Sequence, residues 1–206
     1  MDKLNVISVQ KMLLAREITI FSIKDFSRIL EVNPKTARAF LSYNTKRGVF
    51  KRIKRGSYCL ASEPPIKFEI ANYLYQPSYI SFETAMSYHG LIPETVYTIT
   101  SATTKLQKTF QFENQAYQYV QIKKNFFFGY SPVKIKDKTI LMADKEKALL
   151  DYLYLASLKK QPINERLNLN KLDKKQLGFY VKFFKKHLRK DKAFLDLVKN
   201  LKYDFS

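Results

Sequence analysis

Apolar positions in the first sixty residues recur at helical spacing, then give way to alternation, and each change of period marks an element. In VISVQKMLLAREI (6–18), Val6, Val9, Leu13 and Ile18 fall near one another on a helix. A second helix is expected from Ser22, whose hydroxyl can cap IKDFSRIL and whose Ile23, Phe26, Ile29 and Leu30 form one stripe. Glu31-Val32 is then a turn. Asn33-Pro34 starts a third helix, because Asn accepts from the first turn and Pro supplies a preset φ where no N–H is needed. That helix is expected from about Lys35 to Asn44, with Ala37, Phe40 and Leu41 inward and Lys35, Thr36, Arg38, Ser42 and Tyr43 outward. VFKRI and SYCLA, joined by a KRG turn, read as a strand pair. Two short helices followed by a hairpin predict a winged helix-turn-helix, in which the second helix enters the major groove.

ASEPPIK (61–67) breaks the pattern with two prolines that cannot continue a strand ladder, so the expected domains are 1–62 and 63–206. Beyond it FEIANYLY is helix-like, and in PSYISFETAMSYHGLIPE Ser81 is expected to cap a helix running through His89 to Gly90. TVYTITS, TFQF, AYQYVQI, FFFGY and the pair VKIK, TILMA favour strands. Phe126-Phe127-Phe128 reads as a buried strand more readily than as a stacking platform for single-stranded nucleic acid. From Asp144, as cap, a helix is expected with Leu149, Leu150, Leu153 and Leu158 as its stripe. LDKKQLGFYVKFFKKHLRK and KAFLDLVKNL add helices whose apolar faces (Leu177, Tyr180, Val181, Phe184, Leu188) oppose Lys175, Lys182, Lys185, Lys186 and Arg189. The fold class is therefore α+β: an N-terminal winged helix-turn-helix, then a mixed α/β domain closed by basic helices.

Charge sharpens this picture. The 206 residues are 46% hydrophobic, ample for a core in each part, and carry a formal net charge of +19. A polyanionic partner is implied, with double-stranded DNA the leading one. Residues 1–62 hold 13 basic and 4 acidic side chains, a net of +9, so charge density is highest there. Lys46, Arg47, Lys51, Arg52, Lys54 and Arg55 crowd ten residues without an acid, which suits a wing along a phosphate backbone. Lys35, Thr36 and Arg38, early in the third helix, are the candidates for base edges, with Ser42 and Tyr43 on the same side. A solvated hairpin is the plain alternative for the wing. One cysteine, Cys59, excludes an intramolecular disulfide and a thiolate cluster. The absence of a signal-peptide pattern and of a long apolar run points to the cytoplasm, with no membrane partner.

Two stretches of the second part resemble the AbiEi family of type IV toxin–antitoxin antitoxins. They are Tyr79-Ile80-Ser81 with His89-Gly90-Leu91, and Glu146 to Asp151 (EKALLD) after a strand. The resemblance covers most of the chain. It implies a repressor that autoregulates the operon it shares with a nucleotidyltransferase-like toxin, and a C-terminal domain that provides the antitoxin effect.

Asp144, Glu146, Lys147 and Asp151 after a strand are similar to metal-dependent nuclease sites. Two of these acids fall in the first turn of a helix, where they favour the dipole, and no second strand offers an acid. His89 and His187 are far apart with no acid at zinc-ligand spacing. No catalytic residue, metal or cofactor is expected. A sequence-specific DNA-binding repressor is the leading reading, and a nuclease and a nucleic-acid-binding interaction module without a toxin remain the alternatives.

Overall fold

The computed structural model describes residues 4–159, 162–188 and 192–201. It has the mixed α+β class expected, with eight α-helices and two sheets among the described residues. The chain divides into two compact units, residues 1–66 and 67–206.

The first unit runs α1 (Val6–Ala15), β1 (Ile20–Ser22), α2 (Ile23–Ile29), α3 (Pro34–Lys46), β2 (Phe50–Lys54) and β3 (Ser57–Leu60). Its sheet has the order β1-β3-β2, all antiparallel. The core joins Val9 and Leu13 of α1 to Phe26, Ala37 and Leu41 of the next two helices and to Phe21, Phe50, Tyr58 and Leu60 of the sheet. Phe21, Phe26 and Phe50 meet ring to ring at centroid distances of 5.6 to 6.3 Å, an arrangement that adds edge-to-face attraction to area burial. Cys59 is buried within β3. Strand β1 has no counterpart in the sequence reading, because three residues are too few for a period to show.

Helix α2 begins with a capping box: the Asp25 N–H donates to Ser22 Oγ at 3.1 Å, and the Ser22 N–H donates to the Asp25 carboxylate at 3.0 Å. Ser22 Oγ also donates to that carboxylate, at 2.6 Å, and these bonds hold the Asp25 carboxyl below its ordinary pKa. A depressed carboxylate stabilises the fold above its unfolded pKa of about 3.9, and that stability is lost as pH falls through the folded value. Asp25→Asn should thus lower stability by no more than about 0.5 kcal/mol at neutral pH, because the side chain is 43% exposed and water screens its charge. The deficit should close in acid, which urea titrations of both proteins at the two pH values will show.

The second unit is built on a six-stranded sheet of order β6-β7-β5-β4-β9-β8. Its strands are β4 (Ser78–Ile80), β5 (Ile99–Thr103), β6 (Lys108–Phe112), β7 (Gln115–Gln121), β8 (Tyr130–Ile135) and β9 (Lys138–Ala143). β4 with β9 and β5 with β7 are parallel, and the other neighbours antiparallel. α4 (Lys67–Leu74) packs on β4, β5 and β9, where Tyr119 OH reaches the carbonyl of Ala71. The other face carries Tyr79, which reaches α6 (Lys145–Lys159). α5 (Phe82–Tyr88), α7 (Lys174–His187) and α8 (Lys192–Asn200) pack on α6.

Three local expectations fail here. Ser81 precedes α5 but makes no capping bond; its Oγ donates to Asp151 at 2.7 Å. Buried Phe82 follows at φ +55, a conformation costly for a bulky side chain, and the chain turns sharply between strand and helix. FFFGY is not a strand: Lys124–Phe126 forms a 3-10 turn, Gly129 lies at φ +69, and β8 starts only at Tyr130. The run is held by packing instead, Phe126 stacking on Phe184 of α7 at 4.3 Å. Leu158 is 57% exposed while Leu149, Leu150 and Leu153 are buried, since five residues beyond Leu153 a helix has rotated by well over a third of a turn. The expected basic helix ends at His187, and Arg189 lies outside the described residues.

Candidate functional site

Helix α3 presents one polar half and one apolar half. Its start is fixed by Asn33, whose Oδ1 accepts from the Thr36 N–H at 2.8 Å, with Pro34 in the first position. Ala37, Leu41 and Asn44 are buried, and Asn44 Nδ2 donates to the Phe40 carbonyl at 2.9 Å. Lys35, Thr36, Arg38, Ser42, Tyr43, Lys46 and Arg47 are all exposed. At 3.6 residues per turn they cover about half the circumference. The Arg47 guanidinium lies 5.4 Å from the centre of the Tyr43 ring, a cation–π arrangement that orders the end of this face.

The hairpin adds Lys51 and Lys54, both half-buried, and Arg52 and Arg55, both exposed. Register slips between Arg52 and Lys54, so Ile53 is bulged and buried while its neighbours point outward. Gly56, at φ +79, closes the tight turn. Between Glu31 and Glu63 the chain has eight Lys or Arg and no Asp or Glu. These eight are all on α3, at its end, or on the hairpin, so the charge is not neutralised from within the stretch that carries it.

The acid-lysine residues of the second unit form a closed structure rather than an open site. Lys147 and Asp151, one turn apart on α6, are an ion pair with both side chains fully buried. Asp151 Oδ2 accepts from Tyr79 OH at 2.9 Å and from Ser81 Oγ at 2.7 Å, and Lys147 Nζ donates to Tyr79 OH at 2.8 Å. Burial pulls the Lys147 ammonium below its ordinary pKa, against the Asp151 charge, and pushes the Tyr79 phenol well above its own. The lysine stem passes Gly129 so closely that a Cβ there would sit 3.0 Å from Lys147 Cγ. Asp144 Oδ1 caps α6 at the Lys147 N–H (2.7 Å), and its Oδ2 accepts from Gln176 and Tyr180 at 2.9 and 2.8 Å. Partial burial raises the Asp144 pKa, and the Tyr180 phenol is pushed up to about 12, chiefly by burial. Glu146 is buried and accepts from the Asp173 N–H at 2.7 Å.

The carboxylates of this motif are thus all engaged inside the fold. Among the described residues no three of His, Cys, Asp and Glu are grouped as a metal site. His89 ends α5 and bonds the Ala143 carbonyl through Nε2 at 2.8 Å; His187 bonds the Phe183 carbonyl at 2.9 Å. Sequence spacing does not show that Tyr79 bonds both Lys147 and Asp151, or that Ser81 bonds Asp151. The available signal was a lysine and an aspartate at helical i,i+4 spacing around the apolar run Ala148-Leu149-Leu150, a pair that needs further polar partners when buried. The chain matches no protein-family model and no curated protein. No helix among the described residues is long and apolar enough to cross a membrane.

Proposed function

We propose that this protein is a sequence-specific DNA-binding transcriptional repressor whose first unit is a winged helix-turn-helix. The observation that carries the reading is the acid-free surface formed by the exposed face of α3 and the hairpin, with its eight Lys or Arg. In this reading α3 lies in the major groove, where Lys35, Thr36 and Arg38 near its N-terminus meet base edges. Ser42, Tyr43, Lys46 and Arg47 follow along the same face. Lys51, Arg52, Lys54 and Arg55 form the wing and neutralise phosphates.

The family resemblance extends the proposal: the protein is the antitoxin of a type IV toxin–antitoxin operon that it represses, with a nucleotidyltransferase-like toxin as its functional counterpart. The two stretches on which the resemblance rests are partners in the structure, Tyr79 and Ser81 bonding Asp151. Those bonds hold the second unit together, so these residues bear on its fold rather than on choice of partner.

The test is salt-dependent binding to the protein's own promoter. Phosphate contacts release counterions, so replacing Arg52 and Arg55 together by Ala should weaken binding to all duplexes alike and flatten the salt slope by about two units. Binding curves that superimpose on those of the unaltered protein would remove the wing from the interface.

A further inference from the structure

Helix α7 turns a lysine-rich face to solvent. Its 14 residues include five lysines and no acid. Leu177, Val181 and Phe184 are buried on one side. At 3.6 residues per turn, Lys175, Phe179, Lys182 and Lys186 fall within about 60° of one another on the opposite side, and all four are exposed. Among the described residues, none of Lys175, Lys182 and Lys186 is in an ion pair. Lys182 and Lys186 stand one turn apart, a spacing at which like charges repel.

A phenyl ring lies in the middle of these cations. Phe179 is 67% exposed, one turn from Lys175 on one side and from Lys182 on the other. Its ring contact with Tyr180, at 6.0 Å, is tilted by 53° and not stacked. From Lys175 to Lys186 the stripe covers about 16 Å of helix axis at 1.5 Å per residue. Beside it lies an open groove of about 530 Å³, lined by Lys182, Lys185, Lys186 and half-buried Leu195 of α8.

We propose that this face of the second unit binds single-stranded nucleic acid, with a base stacked on Phe179 and the flanking phosphates held by Lys175, Lys182 and Lys186. Cations without neighbouring acids on the helix select a polyanion. The exposed ring then selects among polyanions: an unpaired base can lay its π-face on the ring, whereas the bases of a duplex are stacked on one another. A lipid surface would take up an apolar helix face, and that of α7 is turned into the core, which leaves a single ring outside. This face does not depend on the DNA reading of the first unit.

The chain contains no tryptophan, so Phe179→Trp in the full chain places one fluorescent reporter at the exposed position. Oligothymidylate should quench it saturably, with a Kd below about 100 µM nucleotide. Polyglutamate, which has charge but no bases, should leave the fluorescence unchanged, and so should a random duplex. Three phosphate contacts predict a slope of about −2 for log affinity against log salt. Adding Lys182→Glu and Lys186→Glu to the reporter protein should weaken the quenching titration at least about tenfold and bring that slope to about −1 or flatter. These side chains are exposed, so the urea unfolding midpoint should hold. The proposal is overturned if oligothymidylate gives no saturable quenching up to about 1 mM nucleotide. It is equally overturned if the duplex or polyglutamate quenches as strongly, or if the lysine substitutions leave the titration unchanged.

Discussion

Asp151→Ala is expected to destabilise the second unit by about 3–5 kcal/mol, enough to leave it largely unfolded at physiological temperature. Asp151 is the sole anion paired with Lys147 in the described cluster, and both are fully buried. Removing it leaves an ammonium in an apolar pocket walled by Tyr79, Phe128 and Phe184, whose rings lie 5.3 to 5.6 Å from Nζ. It also strips the acceptor from Tyr79 OH and Ser81 Oγ. The ring faces offset part of the exposed charge, but cation–π attraction is worth only about 2 kcal/mol when desolvated. The double substitution Lys147→Met/Asp151→Leu should recover part of the loss, because an apolar pair of similar volume escapes the desolvation penalty of both ions, while Tyr79 OH and Ser81 Oγ still lack their acceptor. Urea unfolding of the three proteins checks this. Equal stability of the single and double variants would show that packing, not charge, decides the outcome.

Arg38→Ala is expected to lower affinity for the protein's own promoter about 5- to 150-fold, the equivalent of one lost bidentate contact to guanine at 1–3 kcal/mol. Affinity for random duplex should fall far less. Arg38 is exposed one turn after the start of α3, and its neighbour Ala37 is buried, so the guanidinium leaves the helix on the outward face. Competition binding with promoter and random duplexes at one fixed salt concentration measures the ratio. A parallel fall on both would reassign Arg38 to the phosphate backbone.

Much of the first unit was legible from residues one to four positions apart. Ser22 with Asp25, and Asn33 with Pro34, set helix starts by contacts within a single turn, and those starts appear where the residues are. The hairpin from Phe50 to Leu60 was equally local. What escaped depended on distant partners. Ser81 has the composition of an N-cap, yet an aspartate 70 residues away takes its hydroxyl. The phenylalanine run has the composition of a strand, yet Gly129 turns the chain and α7 supplies the surface on which Phe126 stacks.

The parallel pairing of β4 with β9 sets an order of events on the ribosome. Ile80 meets Met142, and Tyr79 and Ser81 find their acceptor only in Asp151. The middle of the sheet therefore cannot close until some seventy residues after β4 have been synthesised, and such non-local pairing is slow even in a complete chain. The first unit has no such debt to later sequence: its strands and helices all lie before Ile66. A nascent chain stalled near residue 100 should already protect the amides of α3 from exchange while those of β4 remain open.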